Sequence, residues 1–362
     1  MSCSNARPLC TDLAVREVAR HGYREWFATW SEASAADLPE LARRLQSEGQ
    51  AEPVVAEHFS PAAEADADLW HHSPTPLTWV LGQVAAPGLG GVYLHALSGT
   101  ETRPVVLDGQ RIGTCWDGPY ATECLLAGLC ATDTTAPRPV QARATYERME
   151  EALALVGMDF SHVARTWLFL DDILSWYGEF NRVRTDFFTE RGVFDRLVPA
   201  STGIGGSNPA GAAMITGLYA VLPRHEAVEV QAVPSPLQCP ALQYGSSFSR
   251  AVEVSLPDVR RLLISGTASI YPDGRTAHVG DVKAQTALTC EVVEAILKSR
   301  GMDWPQVTRA TAYVRHAADA GVLADHIAAG ALPPLPLVVA HNVICRDDLL
   351  FELEVDAVLP VT

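Results

Sequence analysis

From about residue 120 onward the chain repeats itself once, and nothing else in it limits the fold as much, because one plan must serve twice. Leu125-Leu126-Ala127-Gly128 answers Leu263-Ile264-Ser265-Gly266, and each begins with a strand-like run and leads into a long amphipathic helix. The helix from Gln141 ends at Gly157-Met158-Asp159-Phe160, and the helix from Asp281 at Gly301-Met302-Asp303-Trp304. Val163-Ala164-Arg165-Thr166 then matches Val307-Thr308-Arg309-Ala310, each opening a strand. Second helical stretches follow near 176–191 and 317–330. Closing strands are expected at Val228-Glu229-Val230-Gln231-Ala232-Val233 and Leu353-Glu354-Val355-Asp356-Ala357-Val358.

Helical spacing supports this plan. In the second copy Ala284, Leu288, Val292, Ala295, Ile296 and Ser299 form one stripe, with Lys283, Glu291, Glu294 and Lys298 mostly off it. Gly157 and Gly301 stand where a helix C-terminus wants a left-handed residue. Two copies of strand, helix, strand, helix, strand predict two α+β domains, at 116–235 and 240–362, each a sheet with helices on one face. Residues 1–115 form an N-terminal extension without a chemical motif, although 76–85 and 91–98 read as strands around a Pro-Gly turn. Clefts between such sheets are where small ligands bind.

The 362 residues are 48% hydrophobic and 19% charged, enough for a sizeable core and, at about 150 residues per domain, for two domains. Lys plus Arg is 27 against 43 for Asp plus Glu, and the resulting charge of -16 repels phosphate backbones and anionic lipid headgroups. No apolar run approaches the ~20 residues of a membrane span, and Met1 to Asp12 lacks the order of a signal peptide. The expectation is a cytoplasmic protein that binds neither nucleic acid nor membrane. Eight cysteines (3, 10, 115, 124, 130, 239, 290 and 345) are scattered without a Cys-x-x-Cys pair, which speaks against a disulfide framework and a zinc site.

The second copy (Leu263-Ile264-Ser265-Gly266, Gly280-Asp281-Val282, Ala284-Gln285-Thr286, the helix to Gly301 and the closing Glu352-Leu353-Glu354) resembles the YjgF/RidA family, also called endoribonuclease L-PSP. The resemblance implies a chorismate-mutase-like fold and a homotrimer with sites at subunit clefts, the trimer covering sheet edges and helix-free faces. A closer similarity, over about 120–362, is to the chorismatases, tandem YjgF-like proteins that hydrolyse the enol ether of chorismate to pyruvate and a cyclohexadiene diol or a hydroxybenzoate. Arg165-Thr166-Trp167, Phe180-Asn181 with Arg184, Pro199-Ala200 with Thr202-Gly203-Ile204-Gly205, Gly266-Thr267-Ala268-Ser269-Ile270, His278 with Gly280-Asp281-Val282, and Tyr313-Val314-Arg315 carry it. The most specific match is His341-x-x-Ile344-x-Arg346-x-Asp348-Leu349-Leu350-x-Glu352. The single-domain deaminases have an arginine after Pro-Ala; here Pro336 precedes Leu337 and Pro199-Ala200 precedes Ser201. Leu168-Phe169 and Tyr271-Pro272-Asp273-Gly274 replace the chorismatases' usual Asn-Tyr and Gly-His, which implies a substrate with a less polar ring than chorismate.

Strand alternation puts Glu352 and Glu354 on one face, opposite Phe351 and Leu353. In a cleft, desolvation raises such a carboxylate's pKa towards that of a general acid, and the resemblance makes Glu352 the proton donor to an enol-ether methylene. A solvated strand face carrying two acids has the same pattern. Arg165, Arg184, Arg315 and Arg346 are candidates for clamping carboxylates, with Arg165 and Arg315 favoured and Arg346 assigned to a structural ion pair. Tyr313 shares a strand face with Arg315. Gly266 and His341 match family substrate-binding positions, and His278 matches another. Glycines at 203, 205 and 206 allow close backbone approach to a ligand or simply form a turn. The adjacent pair His71-His72 does not easily face one metal. No cofactor or metal is implied. The two functions in view are a chorismatase-like or RidA-like hydrolase or lyase of specialised metabolism, acting on a small cyclic or enolic carboxylate, and a non-catalytic metabolite-binding relative. A catalyst requires Glu352 buried beside an arginine.

Overall fold

The computed structural model describes residues 13–361, so Cys3 and Cys10 and the stretch Met1 to Asp12 lie outside the described residues. The first sheet is built from β1 (Leu13–Arg20), β2 (Tyr23–Ser31), β3 (Glu52–Pro61), β4 (Leu77–Gly82) and β5 (Gly91–Ser98), with helices α1 (Leu38–Gly49) and α2 (Ala67–His71) between them. The second contains β6 (Thr102–Leu107), β7 (Gln110–Asp117), β8 (Ala121–Cys130), β9 (Val163–Leu170), β10 (Ala200–Gly205) and β11 (Met214–Pro223), with α3 (Arg138–Ala154) and α4 (Ile173–Glu190). The third contains β12 (Glu229–Val233), β13 (Ala251–Leu256), β14 (Val259–Ala268), β15 (Val307–Val314), β16 (Leu337–His341) and β17 (Phe351–Pro360), with α5 (Val282–Ser299) and α6 (Val322–Ala328).

Strand orders are β1-β2-β5-β3-β4, β6-β7-β8-β11-β9-β10 and β12-β13-β14-β17-β15-β16. Each sheet thus inserts its last strand at the centre, beside the strand that follows its first helix, with one parallel strand at the edge. The whole is α+β, with helices on one face of each sheet. Residues 1–115 divide: 13–98 build a sheet of the same order as the other two, and 102–117 join the second sheet.

The repeated motifs have local causes. Gly157 and Gly301 take φ of +74° and +68°, and Met158 N and Met302 N donate back to Leu153 O and Leu297 O at 2.9 and 3.0 Å, closing the helix ends. The methionines are buried, and Asp159 and Asp303 cap the short turns that lead into β9 and β15. The Leu125 and Leu263 motifs mark bulges, where the β8–β11 and β14–β17 registers slip near Gly128 and Gly266.

One expected element is wrong. Residues 229–233 do not close the second sheet; they are β12 and pair with β13 in the third. The central strand of the second sheet is β11, whose Ile215, Gly217 and Tyr219 occupy the register positions of Glu352, Glu354 and Asp356 in β17. The alternating polar and apolar residues of 228–233 matched β17 in pattern only, because they lie on an outer hairpin.

On the helix-covered faces, Leu41 and Leu45 pack on the first sheet, Tyr146, Phe180 and Phe187 on the second, and Val293, Ile296 and Leu323 on the third. The helix-free faces meet one another in a central core that draws Phe59, Phe169 and Tyr313 from the three sheets. These aromatics hold equivalent positions opposite Gly91, Ile215 and Glu352, and Phe59 meets Phe169 and Tyr313 edge-on at 5.8 and 6.0 Å. The sheets also bond in a ring: Leu81 N to Ser207 O and Gly90 N to Val339 O at 2.8 Å, and Ser249 N to Pro199 O at 3.0 Å. The helix-free faces that argued for a homotrimer are therefore covered by the chain itself, whereas the edge strands β1, β6 and β12 keep exposed residues.

Candidate active site

A cavity of about 260 Å³ opens where the second and third sheets meet. Helix α4 contributes Tyr177, Asn181 and Arg184, β10 contributes Ser201 and Gly203, and the connection into β13 contributes Ser246, Phe248 and Arg250. The opposite wall is Gly266 and Ala268 of β14, Cys345, Arg346 and Leu349 of the loop before β17, and Glu352.

Alternation along β17 turns Phe351, Leu353, Val355 and Ala357 to the helices and leaves Glu352, Glu354 and Asp356 facing the junction of the sheets. Glu352 is 5% exposed, and a Cβ added at Gly266 would land on its carboxylate, so glycine there makes room for the acid. Burial pushes the Glu352 carboxyl up to about 8; the negative charge of Glu354 adds to this, and Arg165, Arg250 and Arg346 act against it. At neutral pH the group therefore carries its proton. Glu354, two residues on, behaves oppositely. Burial acts to raise it, but Arg309 and Arg165 prevail and hold it below the usual carboxylate range.

Three arginines line the cavity. Arg184 is buried, donates from Nη2 to Asn181 Oδ1 at 2.7 Å, and its Nε has no hydrogen-bond partner among the described residues. Arg250, also buried, donates from Nε and Nη2 to Cys239 O at 3.0 and 2.9 Å. Arg346 donates from Nη1 to Gly274 O at 2.7 Å, which fixes one side of its guanidinium. With a neutral Glu352, this wall suits a small anion.

Of the residues singled out in the sequence, Glu352, Gly266, Arg184 and Arg346 come together here. Arg165 does not reach the cavity: it is wholly buried behind it, donating from Nη2 to Thr202 Oγ1 at 2.7 Å and to Glu354 Oε2 at 2.9 Å. Tyr313 stands opposite Glu352 across the strand pair, in the central core, and its hydroxyl has no hydrogen-bond partner among the described residues. Arg315 points elsewhere, to carbonyls of Ile344, Arg346 and Leu349, and so ties down the loop that carries Arg346. His341 contacts Arg315 O through Nε2 at 3.1 Å and lines a second cavity of about 530 Å³ among all three sheets. The glycine-rich stretch divides, Gly203 lining the first cavity and Gly205 and Gly206 the second. His278 lies near the ring of Tyr271, and His71 and His72 are exposed. Phe169 is in the central core and Tyr271 is 43% exposed; neither lines the cavity, so the two departures that suggested a less polar ring fall outside it. Tyr177, Ser201, Phe248, Arg250 and Cys345 were not foreseen. Burial pushes the Cys345 thiol up to about 12, leaving it neutral.

Fold and cleft define the class: an α+β protein of three packed sheets with a buried carboxyl in the cleft between the second and third. No family model matches the chain. It is 29% identical over 269 residues to the chorismatase of Streptomyces rapamycinicus, covering 68% of this chain and 77% of that protein. It is also 29% identical over 240 residues to the 3-hydroxybenzoate synthase of Streptomyces hygroscopicus, covering 59% and 67%. A chorismatase crystal structure superposes with a TM-score of 0.68 over 95% of this chain and 100% of that one at 20% identity, and so shares its fold. Over most of its length, then, this chain is homologous to the chorismatases of the RidA superfamily.

Proposed function

We propose that the chain is a chorismatase-type hydrolase and that Glu352 is its general acid, acting on the enol ether of a small cyclic carboxylate. The observation that carries this is a buried carboxyl, its pKa pushed up by burial, on the wall of a cavity with three arginines. Glu352 gives its proton to the terminal enol-ether carbon, the ether oxygen stabilises the resulting cation, and water adds to the cationic carbon. The adduct loses a proton and collapses to pyruvate and a ring alcohol, so one water is consumed and Glu352 recovers its proton from solvent. Arg184, Arg250 and Arg346 supply the local positive charge that a carboxylate needs on a protein of net charge -16. A carboxyl that burial keeps protonated, on the wall of a cavity that also holds three arginines, is the group a general acid requires, and this favours the catalyst.

The test is pyruvate release from chorismate. Glu352→Gln keeps the shape but holds no transferable proton, and should lower turnover by ~10²–10⁴-fold with substrate binding largely intact. Full activity in that variant would remove Glu352 from the chemistry.

A further inference from the structure

Glu354 sits on the face of β17 that carries Glu352, and its carboxylate is clamped. Oε2 accepts from Arg165 Nη2 at 2.9 Å and Oε1 from Arg309 Nη2 at 2.6 Å, all three side chains being buried. Thr202 Oγ1 accepts from Arg165 Nη2 at 2.7 Å and from Gly266 N at 3.0 Å, so the same hydroxyl ties the clamp to the glycine on which the Glu352 carboxyl rests. Arg165 Nε and Nη1 have no hydrogen-bond partner among the described residues, although Nε lies 4.0 Å from Asp356 Oδ1. A fixed anion and a fixed cation thus stand behind the acid, linked to it through backbone that cannot move independently.

We propose that Glu354 and Arg165 are positioning residues for Glu352, the locked negative charge of Glu354 keeping the acid in its proton-bearing form and Arg165 limiting that effect. The inference rests on Glu352 being the general acid. The charged and titratable groups around Glu352 are Glu354 on its own strand, Arg165 on β9, Arg184 and Tyr177 on α4, Arg250 before β13, Arg346 and Cys345 on the preceding loop, and Tyr313 on β15. Beside burial, the Glu354 carboxylate raises Glu352, and Arg165, Arg250 and Arg346 oppose it.

The experiment titrates Glu352 in the full-length protein without substrate, through the infrared carbonyl stretch of its protonated carboxyl, assigned by its loss in Glu352→Gln. Glu354→Gln should move the midpoint down by about one pH unit and Arg165→Gln should move it up, as removal of a nearby like and opposite charge requires. The alkaline limb of chorismate turnover should follow each shift. Opposite displacements do not arise from general loosening, so they separate positioning from a merely structural role. Unmoved midpoints, or two shifts of the same sign, would overturn the inference and leave the acid assignment standing. Expected shifts without turnover would support the coupling and remove the enol-ether reading instead. If one variant does not fold, the direction of the other decides. If neither folds, the wild type decides: Glu354 must stay ionised wherever Glu352 titrates, and one shared titration would overturn the inference.

Discussion

Glu352 shows how a single carboxyl couples chemistry to stability. Its folded pKa of about 8 exceeds the ordinary 4.5, so the folded state holds a proton that the unfolded chain releases. Stability from this group is therefore full below about 4.5, falls as pH rises, and is lost by about 8; 3.5 units at 1.36 kcal/mol each gives about 5 kcal/mol as an order of magnitude. Glu352→Gln has no proton to lose, so its melting temperature should match wild type near pH 5 and exceed it increasingly towards pH 8. Parallel melting curves across that range would show that the carboxyl is not held protonated. Residues of this kind are only partly legible in sequence. Strand alternation fixed the face that Glu352 shares with Glu354, and only the chorismatase resemblance singled out Glu352 on it. Arg250 and Cys345 were not legible, because they lie on connections whose approach to the cavity is set by tertiary packing. Arg165 misled for an instructive reason: its repeat partner Arg309 also ends on Glu354. The two copies thus converge on one carboxylate, since the first copy has Gly217 at the position of Glu354.

At the scale of elements, the motifs legible in sequence were those with local causes. A helix must end, and Gly157 and Gly301 end theirs in the left-handed region whatever surrounds them. Strands were harder, because β11 and β17 hold the same place with different residues, and β11 is almost wholly apolar and buried. The first sheet went unread because its second helix, α2, is reduced to five residues and no Gly-Met-Asp turn follows α1. Glycine also separates structure from chemistry. Gly157→Ala meets open space but a φ of +74°, and should cost about 1–2 kcal/mol of stability while leaving turnover alone. Gly266→Ala would strike the Glu352 carboxylate and crowd Thr202 Cγ2 at 3.1 Å. A displacement on the order of 1 Å is enough for a ~10²-fold loss of turnover. Pyruvate release and melting measured on both variants should show losses in opposite columns; undiminished turnover in Gly266→Ala would place the acid elsewhere.

The whole molecule explains both the single site and the assembly. Phe59, Phe169 and Tyr313 mark equivalent points of three sheets, and the residues opposite them are Gly91, Ile215 and Glu352. Of these three equivalent positions, the one in the third sheet carries an acid. The helix-free faces of the sheets are closed on one another by the central core and by buried ion pairs between distant segments, such as Arg20 with Asp258 at 2.9 Å and Arg309 with Glu57. Breaking one partner of such a pair leaves a stranded charge, typically at about 3–5 kcal/mol, so the three sheets cohere as a unit. Edge strands β4, β10 and β16 are likewise bonded to the neighbouring sheet or its loops. A trimer of chains would need apolar faces that this chain has already buried, and its charge of -16 opposes close approach of copies. Light scattering at micromolar concentration should therefore give a mass near 39.0 kDa that does not rise with concentration. A stable particle of three times that mass would mean that surfaces outside the central core drive association, and that the cleft has to be reconsidered with a second chain beside it.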